Sequence, residues 1–184
     1  MLNPPKTRTK SDLRPVAGAL RWVVAALAAS LLASTAAAST PKEGGPAPQF
    51  QVTTLDGRTI TSDQLRGKVV LIHFWATWCP PCREEMPALD RFYRQHRAEG
   101  LEVIAVSVED AADIGKVRDF AARFAFPVAL TGASQIDGFG RLWVLPLSFL
   151  IDRHQILRKS NWTGADPIDD ASLNKVVLPL LEEK

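Results

Sequence analysis

The sequence predicts an α/β domain over residues 47–184, with a mixed central sheet flanked by helices and a β-hairpin extension on its N-terminal side. Three features predict it: two long apolar runs separated by a helical stretch, a strand pair late in the chain, and a closing amphipathic helix. Val69–Ala76 reads Val-Val-Leu-Ile-His-Phe-Trp-Ala, the β-branched and aromatic content of a strand buried on both faces. Cys82–Glu99 follows as a helix ended by Gly100, and Leu101–Val108 is a second buried strand. Ile114–Arg123 has helical spacing through Ile114, Val117, Phe120, Ala121 and the adjoining Phe124. Ser148–Asp152 and Ile156–Trp162 are strands meeting at a turn. Ala171–Leu181 is the last helix, with Asp169 or Asp170 as its N-cap. Upstream, Phe50–Thr61 is a hairpin turning at Asp56-Gly57, and Asp63–Arg66 is a short helical turn closed by Gly67.

The 184 residues carry a net charge of +2, unevenly distributed. Lys6, Arg8, Lys10, Arg14 and Arg21 face only Asp12 within residues 1–38, so the remainder is net acidic and offers no basic run for nucleic acid. Residues 1–38 read as a signal peptide or an N-terminal membrane anchor. A positive segment ends at Arg21, the apolar stretch Trp22–Ala33 follows, and Ala36-Ala37-Ala38 supplies small residues for cleavage. Uncleaved, residues 22–38 reach the short limit for a bilayer span. Either outcome places the domain outside the cytoplasm, soluble after cleavage or tethered to the inner membrane. Residues 39–46, rich in Pro and Gly, are expected to be a linker.

The chain has two cysteines, Cys79 and Cys82, within Trp78-Cys79-Pro80-Pro81-Cys82. A bridge between them closes so small a loop that it removes little unfolded-state entropy, which suits redox work better than stapling. Pro80 and Pro81 fit the first helical turn, where a missing N–H costs nothing. Cys79 is then at the helix N-terminus, where free amides and the dipole favour its thiolate, and Cys82 one turn on is the resolving thiol. Haem attachment requires a His after the second cysteine, but Arg83 stands there. No metal site is expected, because His73, His96 and His154 fall on a strand, a helix and a turn without ligand spacing.

Phe74-Trp75-Ala76-Thr77-Trp78-Cys79-Pro80-Pro81-Cys82-Arg83-Glu84-Glu85-Met86-Pro87 resembles the thioredoxin-like family that includes TlpA and ResA. Leu65–Leu71, Phe126-Pro127-Val128 and Leu145-Pro146 with Phe149–Asp152 extend the resemblance over about residues 47–181. The resemblance implies a thioredoxin fold and a membrane-tethered or periplasmic reductant serving cytochrome c maturation or copper-site assembly. It implies Cys79 as nucleophile, Cys82 as resolving cysteine, Pro87 as a helix kink and Pro146 as a cis-proline packed against the disulfide. Leu145 then offers its backbone to an extended substrate, and Pro80 and Pro81 face it. Glu85 matches an acidic residue that tunes the pair; read from its position alone, it is a solvated first-turn carboxylate. Trp78 is expected to cover the site and Trp75 to be core. No cofactor beyond the redox-active Cys79–Cys82 disulfide is implied.

The chain departs from this pattern at His73, where thioredoxins have Asp and ResA and TlpA have Asn. His73 is either a proton relay beneath Cys82 or a neutral buried imidazole hydrogen-bonded to its surroundings. Leu147 replaces a common Thr, forming an apolar substrate-facing groove with Trp143 and Leu145 or packing inward. His154-Gln155 replaces a Gly-containing turn and reads as a loop variation.

The expected function is an extracytoplasmic thiol-disulfide oxidoreductase reducing exported disulfide-containing proteins or apocytochrome-like clients, recharged by a membrane electron donor. Alternatives are a disulfide-forming oxidant, a copper metallochaperone using the same thiols, and a thiol peroxidase, which requires a cysteine without a CxxC partner.

Overall fold

The computed structural model describes residues 41–183. The leader expected over residues 1–38 lies outside the described residues. Among the described residues, no helix is long and apolar enough to cross a membrane.

The strands are β1 (Gln51–Thr53), β2 (Thr59–Thr61), β3 (Val69–Trp75), β4 (Leu101–Ser107), β5 (Val128–Leu130), β6 (Leu147–Ile151) and β7 (Leu157–Thr163). The α-helices are α1 (Pro80–His96), α2 (Ile114–Ala121), α3 (Asp170–Val176) and α4 (Leu178–Glu182). β1 and β2 pair antiparallel as the expected hairpin. The main sheet has the order β5-β4-β3-β6-β7, with β3–β4 and β4–β5 parallel and β3–β6 and β6–β7 antiparallel. This is a mixed thioredoxin-like sheet.

Strand periodicity sorts the core into two layers. Val69, Leu71 and Trp75 of β3 and Leu101, Val103 and Ala105 of β4 face one layer, with Met86, Leu89, Val117 and Leu173 from the helices. Val70, Ile72 and Phe74 face the other, where Phe50, Phe139 and Phe149 join Phe74 with ring centroids 4.9–6.0 Å apart. Both parallel connections, β3-α1-β4 and β4-α2-β5, step the same way across the sheet. Right-handed crossovers therefore put α1 and α2 on one face. The opposite face is closed by the hairpin region and the Phe139 turn.

Some boundaries differ from expectation. α1 begins at Pro80, because Cys79 caps it. The last helix is divided, with Pro179 in the first turn of α4. β5 was not expected. Part of the expected linker is held along the sheet edge: the Gly44 amide donates to the Leu157 carbonyl at 2.8 Å and the Leu157 amide to Gly45 at 2.9 Å. These bonds occupy backbone groups that an edge strand otherwise exposes. Gly100 has a φ of 100°, a left-handed backbone that favours glycine.

Candidate active site

The disulfide sits where β3 gives way to α1, at the parallel-strand end that favours sites in α/β sheets. Beyond Trp75 the chain turns, and the Cys79 amide donates to the Ala76 carbonyl at 3.2 Å. Cys79 is extended (φ −96°, ψ 104°) and caps α1. Pro80 and Pro81 lack N–H groups, so the Cys82 amide is the first donor that the helix offers. It points at Cys79 Sγ, 3.3 Å away. Cys79 and Cys82 are joined by a disulfide, Cys79 reaching the surface by a sliver and Cys82 wholly buried. This asymmetry suits an outer nucleophile and an inner resolving thiol.

Beneath the pair, the alternation of β3 directs His73 toward the α1 layer, and β6 brings Ser148 opposite it in register. His73 Nδ1 lies 2.9 Å from Ser148 Oγ and 3.9 Å from Glu85 Oε2. Burial lowers the His73 pKa to about 3, so the imidazole is neutral near neutral pH and its contact with Glu85 is no ion pair. Its Nε2 has no partner. Glu85 is not the solvated first-turn carboxylate that its position alone implies, being 4% exposed. The Ile168 amide, in the loop before α3, donates to its Oε1 at 3.1 Å, while Oε2 is unpartnered. Desolvation raises its pKa to about 7 against that hydrogen bond. One helical turn past Cys82, Glu85 is thus a buried carboxyl that gains or loses a proton near neutrality.

The Leu145–Pro146 peptide is cis. Pro146 is buried and meets the cysteine motif through Gly164, where a Cβ would stand 3.3 Å from Pro146 Cδ and 3.7 Å from Pro81 Cβ. Trp78, Cys79, Pro80, Pro81, Trp143 and Leu145 border a cavity of about 590 Å³. Trp78 is 66% and Trp143 79% exposed. Trp78 therefore walls the site rather than covering it. Trp75 is core, as expected, and Leu147 packs inward among Phe74 and Phe149 rather than into the groove. Val144, half exposed beside Trp143, supplies the apolar surface instead.

A second buried carboxylate beside the motif is Glu109. Glu109, just past β4, accepts hydrogen bonds from the Thr77 amide (3.1 Å), the Thr77 hydroxyl and the Ser107 hydroxyl (2.7 Å). It clamps the turn two residues before Cys79. Nothing in the acidic run Glu109-Asp110 distinguishes it from a solvated segment.

A model of the AhpC/TSA family matches residues 44–160. The thiol-disulfide oxidoreductase ResA of Bacillus thuringiensis is 41% identical over 112 residues, 60% of this chain and 64% of that protein. This chain therefore spans less than two thirds of that relative's length. ResA of Halalkalibacterium halodurans is 34% identical over 129 residues, 68% of this chain and 72% of the relative. Among solved structures, a Chlorobium tepidum protein provisionally named thiol:disulfide interchange protein DsbE matches with a TM-score of 0.61 and 29% identity, covering 78% of this chain and 99% of that one. StoA of Bacillus subtilis matches with a TM-score of 0.52 and 26% identity, covering 72% and 97%. With the fold, the capped cysteine pair and the family model in agreement, the chain belongs to the AhpC/TSA family, in company with ResA thiol-disulfide oxidoreductases.

Proposed function

We propose that the chain is an extracytoplasmic thiol-disulfide oxidoreductase that reduces disulfides of exported proteins, of the cytochrome c maturation or copper-site assembly type. The observation that carries this reading is the Cys79–Cys82 disulfide at the start of α1, with its outer sulfur bordering a cavity walled by Trp78, Trp143 and Leu145. The Cys79 thiolate attacks one sulfur of a client disulfide, forming a mixed disulfide and expelling the other client sulfur as a thiolate that takes a proton. Cys82 then gives up its proton and attacks Cys79 Sγ. The Cys79–Cys82 bond re-forms, the client leaves with both sulfurs reduced, and two electrons have passed to it. Glu85, buried one helical turn past Cys82, is the group we assign to accept the Cys82 proton. A dithiol donor at the membrane returns the two electrons.

The cysteine pair also favours exchange over peroxide chemistry, since Cys79 has its resolving partner three residues away. Insulin reduction and copper titration on the same preparation test the reading. The wild-type chain is expected to reduce insulin, and Cys79→Ser to lose this activity. Cys82→Ser is expected to retain exported proteins as mixed disulfides on Cys79. Failure of insulin reduction in the wild type, with Cu(I) bound by the wild type and lost in Cys79→Ser, would replace the reading with a metallochaperone.

A further inference from the structure

Pro80 borders a second recess, of about 350 Å³, shared with Arg83, Glu84, Pro87, Phe120 and Arg123. Both guanidinium groups lie over the Phe120 ring, with Cζ 5.6 Å (Arg83) and 4.7 Å (Arg123) from its centroid. Arg123 is held further by a 3.1 Å bond from Nε to the Phe120 carbonyl. Arg58, Arg66, Arg91, Arg94 and Arg158 each pair with a carboxylate. Among the described residues Arg83 and Arg123 do not, in common with Arg97, Arg118, Arg141 and Arg153, but Arg83 and Arg123 are the two that share one recess and one ring, with Glu84 lining the same recess.

We propose that this recess is a docking subsite for a carboxylate that the disulfide partner presents beside its reacting cysteine. A guanidinium stacked on a ring is fixed in plane, while its N–H edge stays available for the two-pronged bonding that carboxylates accept. Two cations against the single carboxylate of Glu84 leave the recess net positive, which complements an anionic group. Pro80 lines both this recess and the cavity at Cys79, so a carboxylate seated here lies across Pro80 from the cavity that Cys79 borders. The partner this surface fits is a protein with an acidic segment flanking its disulfide.

The inference rests on the exchange activity proposed above, and its test separates the two. The reduced full chain is mixed with synthetic peptide disulfides that are identical except for Glu, Lys or uncharged residues beside the cysteine. The Glu peptide is expected to react about tenfold faster than the Lys peptide at low salt, through its rate of encounter. Added salt and the Arg83→Gln/Arg123→Gln variant should both bring this ratio close to one. A ratio cancels any change in the reactivity of the Cys79 thiol itself. Equal rates in the wild type, or a ratio that survives the substitutions, overturn the subsite. So does arginine-dependent binding to vesicles of anionic phospholipid without a peptide preference, which would make the recess a headgroup site. No reaction with the uncharged peptide would instead overturn the exchange activity.

Discussion

Two buried glutamates flank the cysteine motif, and they are built differently. Glu109 receives three donors from Thr77 and Ser107, whereas Glu85 receives one amide and leaves an oxygen facing the neutral His73. A carboxylate whose lone pairs are occupied is a fixed structural tie. One enclosed with too few donors holds a proton at a pH where carboxyls ordinarily have none. The same residue type is thus a clamp on the turn before Cys79 and, one helical turn past Cys82, a buried carboxyl that holds its proton to unusually high pH.

The largest expected effect is on the clamp. Glu109→Ala leaves the Thr77 amide and the Ser107 hydroxyl without their acceptor and should cost about 3 kcal/mol, read as a shift of the urea midpoint. An unchanged midpoint would mean that water satisfies those donors and that Glu109 is no tie. Smaller, pH-dependent effects are expected at the other glutamate. Glu85 is more basic in the native state, at about 7, than its ordinary 4.5, so the native chain holds the extra proton and stability falls as pH rises between those values. His73 is less basic, about 3 against an ordinary 6.5, so the unfolded chain binds the extra proton and stability falls as pH drops through that window. The two slopes oppose each other between about 4.5 and 6.5. Glu85→Gln should expose the histidine slope alone, and His73→Asn the glutamate slope alone, in denaturation midpoints across pH. Two variants with the same profile as the wild type would erase the contrast. The smallest stability effect belongs to Trp78→Ala, within about 0.5 kcal/mol because the ring is exposed, while exchange with protein substrates slows.

The parts legible in the sequence are those that local pattern determines. The unbroken run Val69–Ala76, the Pro-Pro start of α1 and the cysteine spacing each signal their structure within ten residues. β5 is only Val128–Leu130, too short to show a period, and it forms because β4 offers an edge. Pro179 was visible, but the apolar spacing through Leu180 and Leu181 hid the break it makes. The burial of Glu85 was not legible, because the Ile168 amide that bonds it lies 83 residues away in the chain. The neutral state of His73 could be anticipated from its apolar strand, whereas its Ser148 partner comes from strand pairing alone.

The pairing of Gly44 and Gly45 with Leu157 has a directional consequence. Leu157 begins β7, whereas Thr163 at its other end pairs with Leu147 beside the cis-proline. Gly44 and Gly45 thus pair at the end of β7 remote from the cis-proline, about 20 Å from Thr163 by the length of a seven-residue strand. A force applied through this segment would load the β7 edge rather than the cysteine motif.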